Sequence, residues 1–81
     1  MCQVLLFGRL ADVAGWRERT LDPAPATLFA LRDLLSAEDA QLGKALALPG
    51  VQAALEKAIV RGDRPLPAGC EVAFLPPMSG G

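Results

Sequence analysis

Glu71-Val72-Ala73-Phe74-Leu75-Pro76-Pro77-Met78-Ser79-Gly80-Gly81 are the last eleven residues of the sequence. The first five are short, apolar and partly β-branched, which predicts a strand over 71–75. Pro76-Pro77 ends it abruptly, because each ring fixes φ and removes a backbone donor. The prolines also stiffen the start of the tail as extended chain, and six extended residues reach on the order of 20 Å. Gly80 and Gly81 carry no side chains, so the predicted stalk has a slim tip ending in a carboxylate. Such a tip can thread a narrow channel into another protein. Its carboxylate can be activated as an acyl adenylate and converted to another acyl species. Most glycine-ended termini are merely frayed. The junction of strand, Pro-Pro, two residues and Gly-Gly sets this one apart.

Upstream, residues 2–7 (Cys-Gln-Val-Leu-Leu-Phe) read as another apolar strand, bounded by Gly8. Residues 9–14 fit a short helical turn stopped at Gly15. Residues 16–21 form a more polar strand, expected near a sheet edge and ended by Asp22-Pro23-Ala24-Pro25. Leu28, Leu31, Leu34 and Leu35 have helical spacing, with Thr27 as N-cap. Ser36 with Asp39 resembles a capping arrangement for a second helix through about Ala47, ended by Pro49-Gly50. Residues 51–60 are ambiguous. Their Ala, Leu, Glu, Gln and Lys favour a helix, and the alternative is a hairpin turning near Glu56-Lys57. Two turn regions, 61–65 and 67–69, then precede the last strand. This order predicts an α+β fold, a mixed sheet packed on one main helix.

The chain has 81 residues, enough for one domain. So small a domain leaves little room for an enclosed catalytic cleft. Its eight basic and nine acidic residues are scattered, which argues against nucleic acid as a partner. No segment approaches the roughly 20 apolar residues of a membrane span, and no signal peptide is evident, so a cytoplasmic protein is expected. The absence of histidine removes His-based catalysis and most zinc sites, and no metal site is expected. Cys2 and Cys70 are expected to be reduced, partly buried thiols.

With Val4-Leu5-Leu6-Phe7, Leu31, Arg64-Pro65-Leu66, Gly69 and the stretch from Glu71 to Gly81, the sequence resembles the small subunits of molybdopterin synthase. The resemblance implies a ubiquitin-like β-grasp domain over 1–75, an extended tail over 76–81, and the hairpin reading near 53–60. It also implies a chemistry. An ATP-dependent adenylating enzyme would activate Gly81, and a sulfur donor would convert it to a thiocarboxylate. Pro76, Pro77, Met78, Ser79 and Gly80 would insert with it into the large synthase subunit, in a heterotetramer of two small and two large chains. The sulfur would pass to cyclic pyranopterin monophosphate, for molybdenum cofactor synthesis. This chain would be a non-catalytic carrier with no permanently bound cofactor, the catalytic Lys and Arg belonging to the large subunit. The alternatives are a thiamine-type sulfur carrier, a ubiquitin-like modifier joined through Gly81 to lysines, or a binding module with an idle tail. The family often has an acidic residue where Cys70 stands, and an Asn in the hairpin turn where Glu56 or Lys57 stands.

Strand parity adds a surface. Even positions (Val4, Leu6, Ala58, Val60, Val72, Phe74) suit a core beneath the helix. Odd positions (Leu5, Phe7, Ile59, Ala73, Leu75) are apolar too, and one helix layer cannot cover both faces. Phe7, Ile59 and Leu75 are therefore expected to form an exposed partner-docking patch. The same parity puts Cys2 and Cys70 on the core side, as neighbours if the first and last strands are parallel.

Overall fold

The computed structural model describes residues 1–77. Met78, Ser79, Gly80 and Gly81, the expected tip of the tail, lie outside the described residues. The elements run β1 (Cys2–Leu6), α1 (Arg9–Ala14), β2 (Glu18–Leu21), α2 (Leu28–Glu38), α3 (Ala40–Leu46), β3 (Gln52–Leu55), β4 (Ala58–Val60) and β5 (Glu71–Leu75). The strands form one mixed sheet in the order β2-β1-β5-β3-β4. β1 and β5 are parallel, with Val4 opposite Val72 and Leu6 opposite Phe74. The other three pairings are antiparallel. This is the expected α+β architecture, with the two most apolar strands side by side in the middle and the more polar β2 at an edge.

All three helices contribute to a core on one sheet face. Val4, Leu6, Val72 and Phe74 meet Leu10 of α1, Leu28, Leu31 and Leu35 of α2, and Leu42 and Leu46 of α3. β1 and β5 alternate buried and half-buried along their whole length, as period-2 side-chain direction requires. No polar or charged residue is buried among the described residues. Arg19 on the edge strand reaches the end of α2 and donates two hydrogen bonds to Glu38, at 2.6 and 3.0 Å. No helix among the described residues is long and apolar enough to cross a membrane.

The structure refines the local expectations. Thr27 caps α2, its hydroxyl accepting from the Ala30 N–H at 3.1 Å. α2 does not stop at Leu35 but continues to Glu38, and Ser36 lies inside it. Ser36 caps nothing, because its hydroxyl donates back to the Arg32 carbonyl at 2.8 Å. Asp39 alone caps α3, accepting from the Gln41 and Leu42 N–H groups. The helices meet closely where Gly43 faces Ser36. A Cβ at Gly43 would stand 2.9 Å from the serine side chain, so only glycine fits. Strand β2 begins at Glu18 rather than Trp16.

Residues 52–60 are a hairpin, not the helix their propensity suggests. Pairing with β5 decides this, since Gln52–Leu55 lies antiparallel against Val72–Leu75. The parity expectation also needs correction here. Val60, half-buried, packs against the core as parity expects, but Ala58 is exposed although parity puts it in the core too. β4 is a three-residue edge strand, and an open groove of about 330 Å³ separates it from α2. The other core positions on this side come from β3, where Ala53 and Leu55 pack against the buried cluster.

The turn is two residues long, and Glu56 and Lys57 both have positive φ, 51° and 69°. That pattern suits a right-twisted hairpin and is favoured by Asn-Gly. Non-glycine side chains there cost about 1 kcal/mol each. Replacing Glu56-Lys57 by Asn-Gly is expected to raise stability by about 1–2 kcal/mol. Urea denaturation with an unchanged m-value checks this.

Candidate functional site

The candidate site is the end of the sheet where β5 runs out. β5 is the third of five strands, held by β1 on one side and β3 on the other. Its last residue, Leu75, lies opposite Gln52 of β3. On the other side the Phe7 N–H donates to the Phe74 carbonyl at 3.2 Å, extending the β1 ladder by one residue. Pro76 then ends the pairing, having no N–H to donate. Pro76 and Pro77 therefore leave the sheet from its central strand. Pro76 is half-buried and Pro77 exposed. Pro76 lies against Gly8, which follows β1, and Pro77 against Gly50, which precedes β3.

The sheet face opposite the helices is apolar and open. Leu5, Ala73, Ala54 and Ile59 make one row across β1, β5, β3 and β4. Phe7 and Leu75 begin the next row toward the tail. Phe7 is 45% exposed, Ile59 is 49% exposed and Leu75 is half-buried. The fold thus brings Phe7 and Leu75 together beside the root of the tail. Ile59 shares their face but stands two strands from Leu75 and one row back, with the small residue Ala54 of β3 between it and β5. Ala54 belongs to this face and went unnoticed in the sequence, because the parity of β3 depends on its register with β5.

Cys2 and Cys70 lie on the opposite, helix-covered side. Both are free and fully buried, with their sulfurs 3.8 Å apart. The parallel β1–β5 register explains the contact, since the Gln3 N–H donates to the Cys70 carbonyl at 2.9 Å. Burial, followed by the contact with Cys70, pushes the Cys2 thiol up to about 12. No cluster of three or more His, Cys, Asp or Glu suited to a metal exists among the described residues.

A model of the ThiS family matches residues 4–81. The chain belongs to the ThiS family. It is 33% identical over 81 residues to the molybdopterin synthase sulfur carrier subunit of Escherichia coli K12, covering all of both chains. Its structure is similar to that of SAMP1 from Haloferax volcanii, with a TM-score of 0.81, 26% identity, and 99% of this chain and 98% of the other covered. A putative molybdopterin converting factor subunit 1 from Pyrococcus furiosus superimposes with a TM-score of 0.78 over 95% of this chain and 97% of its own, at 23% identity. That last likeness speaks to the fold alone. The fold is the ubiquitin-like β-grasp.

The buried thiols give a direct check. With Ellman's reagent at about pH 8, native protein is expected to show essentially no reactive thiol and unfolded protein two. Cys2 also makes stability pH-dependent, with a definite sign. Its folded pKa is raised from 9.0 to about 12, so in that window the folded state retains a proton that the unfolded state loses. Its contribution is complete below about pH 9 and declines as pH rises toward 12, and Cys2→Ala should flatten the decline.

Proposed function

We propose that this ThiS-family chain is the sulfur-carrier subunit of a molybdopterin synthase, with the C-terminal carboxylate of Gly81 as its working group. The full-length similarity to the E. coli carrier subunit carries this reading. The rooted diproline at the end of the central strand supports it, because a thin reactive end is useful only when a rigid body presents it.

In this reading an activating enzyme joins the Gly81 carboxylate to the α-phosphate of ATP, releasing pyrophosphate. A sulfur donor then displaces AMP from the acyl adenylate and leaves a thiocarboxylate. The end enters the large synthase subunit and gives its sulfur to cyclic pyranopterin monophosphate. Water returns the acyl group to the carboxylate, ready for another round. The folded domain contributes no acid, base or metal to these steps. It is the handle that both partners grip, through the open face around Phe7, Leu75 and Ile59.

A second reading comes from the Haloferax structures, described as those of a small archaeal modifier protein. There Gly81 would be joined to lysine amines of target proteins. The same activated carboxylate serves both fates, so the test must read the product.

The test is the intact mass of the protein after incubation with its activating enzyme, ATP and sulfide. One terminal oxygen exchanged for sulfur is expected, and a chain lacking Gly80 and Gly81 should stay unchanged. Conjugate ladders without any such exchange would favour the modifier reading. Leu75→Glu should abolish partner binding in a pull-down while the circular dichroism spectrum stays native. Binding that survives this change would remove the open face from the proposal.

A further inference from the structure

Two glycines far apart in sequence flank Pro76-Pro77. β1 runs parallel to β5, so the residues that follow β1 emerge at the same end of the sheet as those that follow β5. β3 runs antiparallel to β5, so the residues that precede β3 arrive at that end too. Gly8 therefore stands on one side of the diproline and Gly50 on the other. Both have positive φ, 56° and 89°. A Cβ on Gly8 would stand 3.0 Å from Pro76 Cγ, and one on Gly50 would stand 3.1 Å from Pro77 Cβ. Carbon atoms in ordinary contact lie about 3.5–4.0 Å apart, so either methyl would require its proline to give by a few tenths of an ångström.

Turn geometry alone does not explain this arrangement. Gly15, Gly62 and Gly69 also have positive φ, yet a Cβ at any of them would meet nothing within 4 Å. Only Gly8 and Gly50 among these turn glycines have a proline against them.

We propose that Gly8 and Gly50 are positioning residues, a two-sided seat for Pro76 and Pro77 that fixes the direction in which the C-terminal segment leaves the sheet. The consequence for chemistry rests on the reading of Gly81 as the reacting end. Four residues beyond Pro77 span at most about 14 Å, so the direction at the root bounds the region that Gly81 can occupy. A displaced root lowers the fraction of encounters in which the carboxylate reaches a partner's active centre. Small misplacements of a reacting group cost rate steeply.

Gly50→Ala is the primary test, with Gly62→Ala as its control. Both place a methyl on left-handed backbone, but only the first adds a contact with a proline. Each variant is assayed where circular dichroism shows it folded, using the activating enzyme, ATP and sulfide, with thiocarboxylate read by intact mass. Gly50→Ala is expected to lower kcat/KM by about tenfold or more, with Gly62→Ala near the parent value. Pro77→Gly, which empties that half of the seat and frees the backbone there, should lower kcat/KM as well, and Gly50→Ala should then add little further loss. Gly8→Ala with Pro76→Gly is the equivalent cycle on the other side.

The seat also has a readout independent of activity. Nuclear Overhauser contacts between the Gly50 α-protons and Pro77, and between the Gly8 α-protons and Pro76, are expected in the parent chain. The Gly50 contact should weaken in Gly50→Ala, and both should persist in Gly62→Ala. Equal kinetic losses in Gly50→Ala and Gly62→Ala, or missing contacts in the parent chain, would overturn the seat. A parent chain that shows the contacts yet never gains sulfur would overturn the carrier reading and leave the seat standing.

Discussion

The parallel pairing of β1 with β5 is the contact on which the rest of the structure depends. It joins residues 3–6 to residues 71–74, almost the whole length of the chain apart. Closing so long a loop costs entropy, and the apolar rows on those two strands offset it. Val4, Leu6, Val72 and Phe74 are buried together under three helices. Once that pair is fixed, β3 and β2 have only one free edge each to occupy. The sheet order, the place where the tail emerges and the proximity of the two cysteines all stem from this one ladder.

How far the sequence could be read depended on whether the deciding contacts were local. The strands at 2–6 and 71–75, the Thr27 cap and the Gly15 stop are set by neighbouring residues, and all were legible. The reading of Ser36 as a cap failed because serine can satisfy itself on the carbonyl four residues back, leaving Asp39 to hold the helix start. Residues 51–60 could not be settled by propensity. Ala53, Ala54, Leu55, Glu56 and Lys57 prefer a helix, and only the vacant edge of β5 makes a strand and its turn of them. Gly8 and Gly50 were visible only as punctuation, one ending a strand and the other ending a helix. Their contact with the diproline is a product of topology, which no local pattern encodes. Of the candidate site, the apolar open face was legible from parity. Its outline was not, since Ala54 enters it only through the register of β3.

The two faces of the sheet divide the labour. One is sealed by helices and holds the domain together. The other carries exposed Phe7 and Ile59 and half-buried Leu75. A small domain with too much apolar surface for its core can leave the excess where a partner will cover it. Here that surface adjoins the point where Pro76-Pro77 leave the sheet.

The buried cysteine pair has a chemical corollary. An acyl adenylate is an electrophile, and any nearby thiolate would capture it as a thioester. Cys2 and Cys70 sit fully enclosed, and the Cys2 thiol, pushed up to about 12, is protonated at neutral pH. Under the function proposed above, neither thiol is available to capture the activated end. That chemoselectivity is a by-product of how tightly the first and last strands are packed.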